Sequence, residues 1–104
     1  MSTKTVLVTG AGGYVGRLVT AALVKGGHTV LASDIASPLN FKGAEYHQLD
    51  VRGPELRQLI VDREVDVVVH LAAVVSPKPG EGEQFAYTVD VEGTENVLDA
   101  CIEA

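Results

Sequence analysis

The sequence is poor in residues on which several classes of site depend. Cys101 is the single cysteine among 104 residues, and there is no tryptophan. One cysteine excludes an internal disulfide and a metal site built from several cysteines, and it is typical of a reducing, cytoplasmic setting. The three histidines, His28, His47 and His70, lack the spacing of a metal site. We therefore expect a cytoplasmic chain with no metal site.

Positive charge and long apolar runs are also scarce. Eight Lys and Arg residues stand against 14 Asp and Glu residues, which gives a net charge of −6. This balance argues against nucleic acid and against an anionic membrane surface as partners. The longest unbroken apolar run, residues 71–75, is far too short to span a bilayer. The first residues lead directly into an apolar stretch, so we expect no signal peptide.

Apolar residues make up 46% of the chain, which is enough for one folded domain. Short apolar runs alternate with helical patterns along it. Strands are predicted at 5–8, 28–33, 44–49 and 65–71, helices at 14–25, from about 54 onwards and at 83–102, and polar loops at 37–43 and 76–82. This order predicts an α/β fold, a Rossmann-type doubly wound parallel sheet with strand order 3-2-1-4 and right-handed crossovers.

The first and last predicted helices carry distinct apolar faces. The first is expected to bury Val15, Leu18, Val19, Ala22 and Leu23. The last has one stripe of Phe85, Val89, Val97 and Cys101, and a second of Val91, Thr94, Leu98 and Ile102. One stripe, with Cys101, is expected to cover the sheet, so the other needs further chain or a second subunit. Gly93 costs this helix about 1 kcal/mol relative to alanine, and close packing against a neighbour would explain its presence.

A glycine-rich turn joins the first strand to the first helix. Gly10 permits a sharp turn, Gly13 leaves room for a pyrophosphate near the backbone, and Gly16 allows the helix to pack close to the strand. The N–H groups and the positive dipole end of the helix would face the phosphates. The alternative is an ordinary tight turn between strand and helix. The strand, turn and helix context favours a dinucleotide site.

Three further positions fall at the carboxyl ends of predicted strands. Asp34 can accept hydrogen bonds from both ribose hydroxyls and would repel a 2′-phosphate, which favours NAD over NADP. Asp50 can accept from the adenine amino group while Val51 packs on the ring. The alternatives are turn or capping roles for both aspartates. His70 is a candidate general base, but we favour a structural, hydrogen-bonded histidine.

Together these residues resemble the short-chain dehydrogenase/reductase superfamily, and more narrowly its extended branch, the NAD-dependent epimerase/dehydratase family. The matching segments are Thr9–Gly16, Asp34, Asp50–Val51, His70–Ala73 and Val91–Ala100, in family order and spacing. The resemblance implies that the backbone at Tyr14 and Val15 meets the pyrophosphate. It further implies contacts of Asp34 and Ile35 with the adenosine ribose, of Asp50 and Val51 with adenine, and of Leu71, Ala72 and Ala73 along the path to the nicotinamide ribose. The last helix, 83–102, is similar to one that builds a homodimeric four-helix bundle in many relatives.

Two departures from the family pattern affect the functional prediction. Asp90 stands where the family usually has an asparagine near the cofactor. The family's catalytic tyrosine and lysine, four positions apart, have no counterpart, because Tyr14, Tyr46 and Tyr87 are followed four positions on by other residues. We therefore assign no catalytic residue and expect residues 1–104 to be the N-terminal portion of an NAD(P)-binding Rossmann domain, without the catalytic segment and substrate domain.

The resemblance implies a parent enzyme that transfers hydride between NAD and a sugar or nucleotide-sugar carbinol, as an oxidoreductase, epimerase or dehydratase. This chain alone is not expected to be active. The alternative is a stand-alone dinucleotide sensor, or an interaction module without catalysis.

Overall fold

The computed structural model describes residues 3–36, 39–73 and 82–103. The elements in chain order are β1 Thr5–Thr9, α1 Tyr14–Lys25, β2 Thr29–Asp34, β3 Glu45–Gln48, α2 Glu55–Asp62, β4 Val67–His70, α3 Glu83–Tyr87, a π-helical turn Thr88–Glu92, and α4 Gly93–Glu103. The predicted bounds of α1 are confirmed, and each strand lies within two residues of its predicted bounds. Parts of both predicted loops, residues 37–38 and 76–81, lie outside the described residues.

All strand pairs are parallel and the order is β3-β2-β1-β4, as predicted. At its carboxyl end β1 pairs with both neighbours, since Thr9 lies opposite Ser33 of β2 and His70 of β4. Parallel strands bring their carboxyl ends to one edge of the sheet. The turns that follow β1, β2, β3 and β4 therefore meet at this edge, where ligands bind in open α/β sheets.

Helices cover both faces of the sheet, which explains why the middle residues of β1 and β2 are continuously apolar. The core cluster between the sheet and the helices α2 and α4 contains Leu7, Leu31, Val51, Leu56, Ile60, Val97 and Ala100. The opposite face, under α1, contains Val6, Val8, Ala11, Val30 and Ala32. Alternate residues of β1 thus enter different clusters, as the period of two in a strand requires.

The predicted apolar face of α1 is partly wrong. Val15 and Leu18 are 55% and 56% exposed, and Ala22 is also exposed. The buried residues of this helix are Gly16 and Thr20. The reason is the closeness of the glycine turn, which brings the smallest residue of the helix, Gly16, against the backbone of residues 10–11. The helix is thereby rotated so that its first two large apolar residues face away from the sheet.

The last helix also departs from the sequence prediction. The predicted stripe of Phe85, Val89, Val97 and Cys101 is not one surface, because Val97 lies in the core whereas Cys101 is exposed. The prediction of a core Cys101 is therefore wrong. The π-helical turn at Thr88–Glu92 inserts an extra residue, so the regular helical repeat does not hold across it. Gly93 is buried, and a Cβ there would lie 2.8 Å from the Val51 side chain, so the expected close packing is confirmed.

Within the described ranges, no helix combines the length and apolar character needed to cross a membrane. The same residues contain no group of three or more His, Cys, Asp or Glu side chains arranged to hold a metal ion.

Candidate functional site

A cleft of about 580 Å³ opens at the carboxyl edge of the sheet. It brings together every predicted site residue except Asp90. These are Gly10, Gly13, Tyr14, Val15, Gly16, Asp34, Ile35, Asp50, Val51, Leu71, Ala72 and Ala73. They come from four separate parts of the chain, and the parallel sheet alone places them side by side.

The glycine turn forms the floor of the cleft. Gly10 adopts a φ of +66°, and a Cβ there would come within 2.7 Å of the backbone at Leu71 and Ala72. Gly13 is different, since its Cβ would meet only the Gly10 carbonyl oxygen at 3.5 Å and would otherwise project into open space. The first turn of α1 begins directly after Gly13 and presents the backbone N–H groups that an α-helix leaves without internal partners. This end of the cleft therefore suits an anion such as a pyrophosphate.

Asp34 ends β2 and has the turn role that was the alternative to ribose binding, together with a bond to the glycine turn. Its Oδ2 accepts a hydrogen bond from the Gly12 backbone N–H at 2.9 Å, and its Oδ1 accepts from the Ala36 N–H at 3.2 Å. The first bond ties the carboxylate to the glycine turn, and the second starts a turn after the strand. Asp34 is only partly buried and lines the cleft, so its remaining acceptor positions are available to a ligand.

Asp50 follows β3 and is held by its neighbour Arg52. The Arg52 backbone N–H donates to Oδ1 at 2.9 Å, and the guanidinium reaches both oxygens through Nε and Nη2. The hydrogen bonds from Arg52 lower the pKa of Asp50, although burial acts in the opposite direction. Asp50 is therefore a pure acceptor at neutral pH.

The loop that carries Asp50 is anchored to the last helix. The Asn96 side-chain amide donates to the carbonyl oxygens of Val51 at 2.7 Å and Gly53 at 3.0 Å. Gly93 packs against Val51 from the same helix. Position and orientation of the loop thus depend on a helix that is distant in sequence.

His70 is a structural residue, as expected, and does not line the cleft. Thr9 Oγ1 accepts from the backbone N–H groups of Leu71 at 3.0 Å and Ala72 at 3.2 Å, so its own proton is directed to His70 Nδ1 at 2.7 Å. His70 Nε2 then carries a proton and donates to Thr94 Oγ1 at 3.0 Å, because Thr94 in turn donates to the Asp90 carbonyl. Burial lowers the pKa of His70, which keeps the imidazole neutral.

Several lining residues were missed by sequence reasoning: Ser33, Leu49, Arg52, Phe85 and Val89. The sequence pattern predicts that Phe85 and Val89 belong to a stripe that covers the sheet, but they line the cleft. Arg52 carried a usable signal, because it directly follows the predicted adenine contact Val51. Asp90 lines a separate depression with Gln84, Ala86, Tyr87 and Val91, and its expected cofactor contact stays a prediction.

Comparisons with known proteins identify the family of this chain. Residues 6–104 match the model of the NAD-dependent epimerase/dehydratase family. Short-chain dehydrogenase/reductase family 42E member 1 of Macaca fascicularis is 31% identical over 102 residues, which cover 94% of this chain and 26% of the relative. UDP-glucose 4-epimerase of Mycolicibacterium smegmatis is 31% identical over 104 residues, 90% of this chain and 33% of the relative.

Solved structures give the same result. UDP-glucose-4-epimerase of Stenotrophomonas maltophila, with bound NAD and formylated UDP-arabinopyranose, superposes with a TM-score of 0.82 at 26% identity. The match covers 97% of this chain and 34% of that structure's chain. The chain thus spans about a quarter to a third of the length of these relatives. On the match over residues 6–104, the chain belongs to the NAD-dependent epimerase/dehydratase family.

Proposed function

We propose that this chain is the NAD-binding part of an extended-type dehydrogenase, epimerase or dehydratase that acts on a sugar or nucleotide sugar. One observation carries the proposal: the cleft gathers a helix N-terminus, two strand-end carboxylates and a small-residue segment at one edge of a parallel sheet. This is the arrangement in which doubly wound folds bind dinucleotides.

The residues present fit NAD along the length of the cleft. The N-terminus of α1 would hold the pyrophosphate, where the absent side chain of Gly13 leaves space for it. Asp34 would accept from the adenosine ribose, and Asp50 with Val51 would hold adenine. Leu71, Ala72 and Ala73 would line the path of the nicotinamide ribose. Bound NAD would supply hydride acceptance and donation.

The charge at the ribose end favours NAD over NADP. Asp34 presents a carboxylate that is already held by two backbone N–H groups. A 2′-phosphate at this position would meet like charge. Arg17, on the neighbouring helix, donates through Nε to the Gly12 carbonyl at 3.1 Å and lies over the Phe41 ring. It is therefore engaged elsewhere in this arrangement.

Hydride transfer by the whole enzyme would require an acid/base residue in addition to the dinucleotide site. The family resemblance implies a tyrosine acid/base with a lysine four positions later, and this chain has no such pair. The name of one relative, UDP-glucose 4-epimerase, and the formylated UDP-arabinopyranose bound in a similar solved structure support a sugar or nucleotide-sugar substrate. In this proposal the chain's own task is to bind and orient the dinucleotide.

The test is calorimetric titration of NAD and NADP into the wild-type chain and Asp34→Ala. The wild type should bind NAD more tightly than NADP. Asp34→Ala should weaken the binding of NAD by about ten- to hundredfold, which corresponds to the loss of hydrogen bonds to a charged acceptor. It should also reduce the difference in affinity between NAD and NADP. Asp62→Ala is a matched control, since this carboxylate accepts a hydrogen bond from Gln58 of its own helix and lies outside the cleft lining.

Two results would contradict the proposal. A wild-type chain that is folded by circular dichroism and binds neither dinucleotide at millimolar concentration would exclude a working cofactor site. Equal affinity for NAD and NADP in the wild type would exclude the specificity assigned to Asp34.

A further inference from the structure

We propose that Arg52 is the positioning residue of the adenine end of the cleft, and that selection of a 6-amino purine over a 6-oxo purine depends on it. The inference rests on the proposed NAD-binding function. Arg52 lies outside the glycine turn and is not one of the strand-end carboxylates.

Arg52 fixes the direction in which Asp50 accepts hydrogen bonds. A carboxylate offers about four acceptor positions. Oδ1 receives both the Arg52 backbone N–H and Nε at 2.9 Å, whereas Oδ2 receives Nη2 at 2.6 Å and a longer Nε contact of 3.1 Å. Oδ1 is therefore fully used. Oδ2 keeps the capacity to accept from a ligand, and its orientation is set by the planar guanidinium.

The same guanidinium joins the two walls of the adenine end. Its Nη1 donates to Thr88 Oγ1 at 3.0 Å, and its central carbon lies 5.4 Å from the centre of the Phe85 ring. Asp50 and Arg52 lie on the loop after β3, whereas Phe85 belongs to α3 and Thr88 begins the π-helical turn. All of these except Thr88 line the cleft. A ligand base would thus lie between Val51 and Phe85, and Arg52 would set the distance between these two side chains.

This arrangement discriminates between bases through the exocyclic group. Adenine presents an N–H donor at its 6-position, which an ionised and oriented Asp50 accepts. Hypoxanthine presents an oxygen there, which a carboxylate repels. Without Arg52 the Asp50 side chain would rotate and hydrate, and the distinction between the two bases would be reduced.

The experiment compares NAD with nicotinamide hypoxanthine dinucleotide by calorimetry, using the wild type, Arg52→Met, Arg52→Lys and Arg63→Met. Methionine keeps the apolar stem but removes the charge and the donors. Arg63 is the matched control, because it pairs with Glu45 and its side chain is 37% exposed against 36% for Arg52. It lies outside the cleft lining.

The wild type should prefer NAD by about ten- to hundredfold, the range for a hydrogen bond to a charged group. Arg52→Met should bring this ratio close to one, chiefly by weakening NAD, whereas Arg63→Met should leave it unchanged. Arg52→Lys keeps the charge but not the bidentate geometry. The preference of this variant for NAD over the hypoxanthine dinucleotide should therefore be at least about threefold lower than that of the wild type. This variant also tests the proposal if Arg52→Met does not fold.

Three results would overturn the inference. If Arg52→Met weakens the binding of both dinucleotides equally, Arg52 supports the structure but does not contribute to the selection of the base. If both Arg52 variants keep the wild-type ratio, Asp50 is oriented without it. If the folded wild type binds neither dinucleotide, the proposed function itself fails, and this outcome is distinct from the other two.

Discussion

Replacing Gly16 by alanine tests whether close contact between α1 and the glycine turn supports the fold. An alanine Cβ at this position would overlap the Gly10 carbonyl oxygen and come within 2.7 Å of Ala11 Cα and 2.9 Å of Ala11 C. All three neighbours are backbone atoms, so no side chain can rotate away to make room. The helix would have to move away from the sheet edge.

The size of the effect follows from two opposing contributions. Overpacking in a well-packed region costs about 1–3 kcal/mol, and the upper end applies here because the overlap is with backbone. Alanine gains about 1 kcal/mol over glycine in helix propensity. The net loss in free energy of unfolding should be about 2 kcal/mol. For a domain of this size the melting temperature should then fall by about 8–16 °C.

Gly13→Ala is the matched control, because the added methyl group makes an ordinary 3.5 Å contact and the residue has a φ of −75°. This variant should melt within about 4 °C of the wild type, equivalent to less than 1 kcal/mol. It should nevertheless weaken the binding of NAD about tenfold, a loss of about 1.4 kcal/mol in binding free energy, since the alanine Cβ projects towards the proposed pyrophosphate. The two substitutions are chemically identical, so together they separate folding from binding.

Thermal unfolding followed by circular dichroism measures the first effect, and calorimetric titration of NAD measures the second. The reasoning is refuted if Gly16→Ala melts within about 2 °C of the wild type. It is also refuted if Gly13→Ala is the less stable of the two.

Two further predictions concern pH and assembly. Because burial lowers the pKa of His70 below its ordinary 6.5, the unfolded chain binds a proton first as pH falls. Stability should therefore decrease below about pH 6.5, by at most about 1.4 kcal/mol per pH unit. Urea unfolding of the wild type and His70→Gln should show this decrease in the wild type and a flatter profile in the variant. We also propose that the outer face of α4, with Leu98 and Ile102 56% and 82% exposed, packs against a second copy in the four-helix bundle that the family resemblance implies. Sedimentation should show a dimer that Leu98→Glu dissociates and that the equally exposed Leu18→Glu on α1 preserves; a wild-type monomer contradicts this.

Local sequence was sufficient for the order of elements and for most of the cleft. Continuous apolar runs such as Val6–Val8 indicate strands buried on both faces, and a parallel sheet places all strand ends at one edge. Gly10 directly follows β1, Asp34 ends β2 and Asp50 lies two positions after β3, so their convergence follows from topology alone. The strand order 3-2-1-4 followed from the assignment of a doubly wound fold, and the structure confirms it.

The tertiary structure alone decided how the helices are rotated and which side chains meet. The burial of Gly16 and Thr20 instead of Val15 and Leu18 depends on contact with a turn that helical periodicity does not describe. The π-helical turn at Thr88–Glu92 interrupts the regular helical repeat between Phe85 and Val97, so a single periodicity does not describe the whole of residues 83–103. Arg52 reaches Thr88 across 36 residues, and a pairing over such a distance exists only after both segments have packed on the same sheet. Sequence periodicity determines which elements form, whereas packing between elements determines which of their faces and side chains build the site.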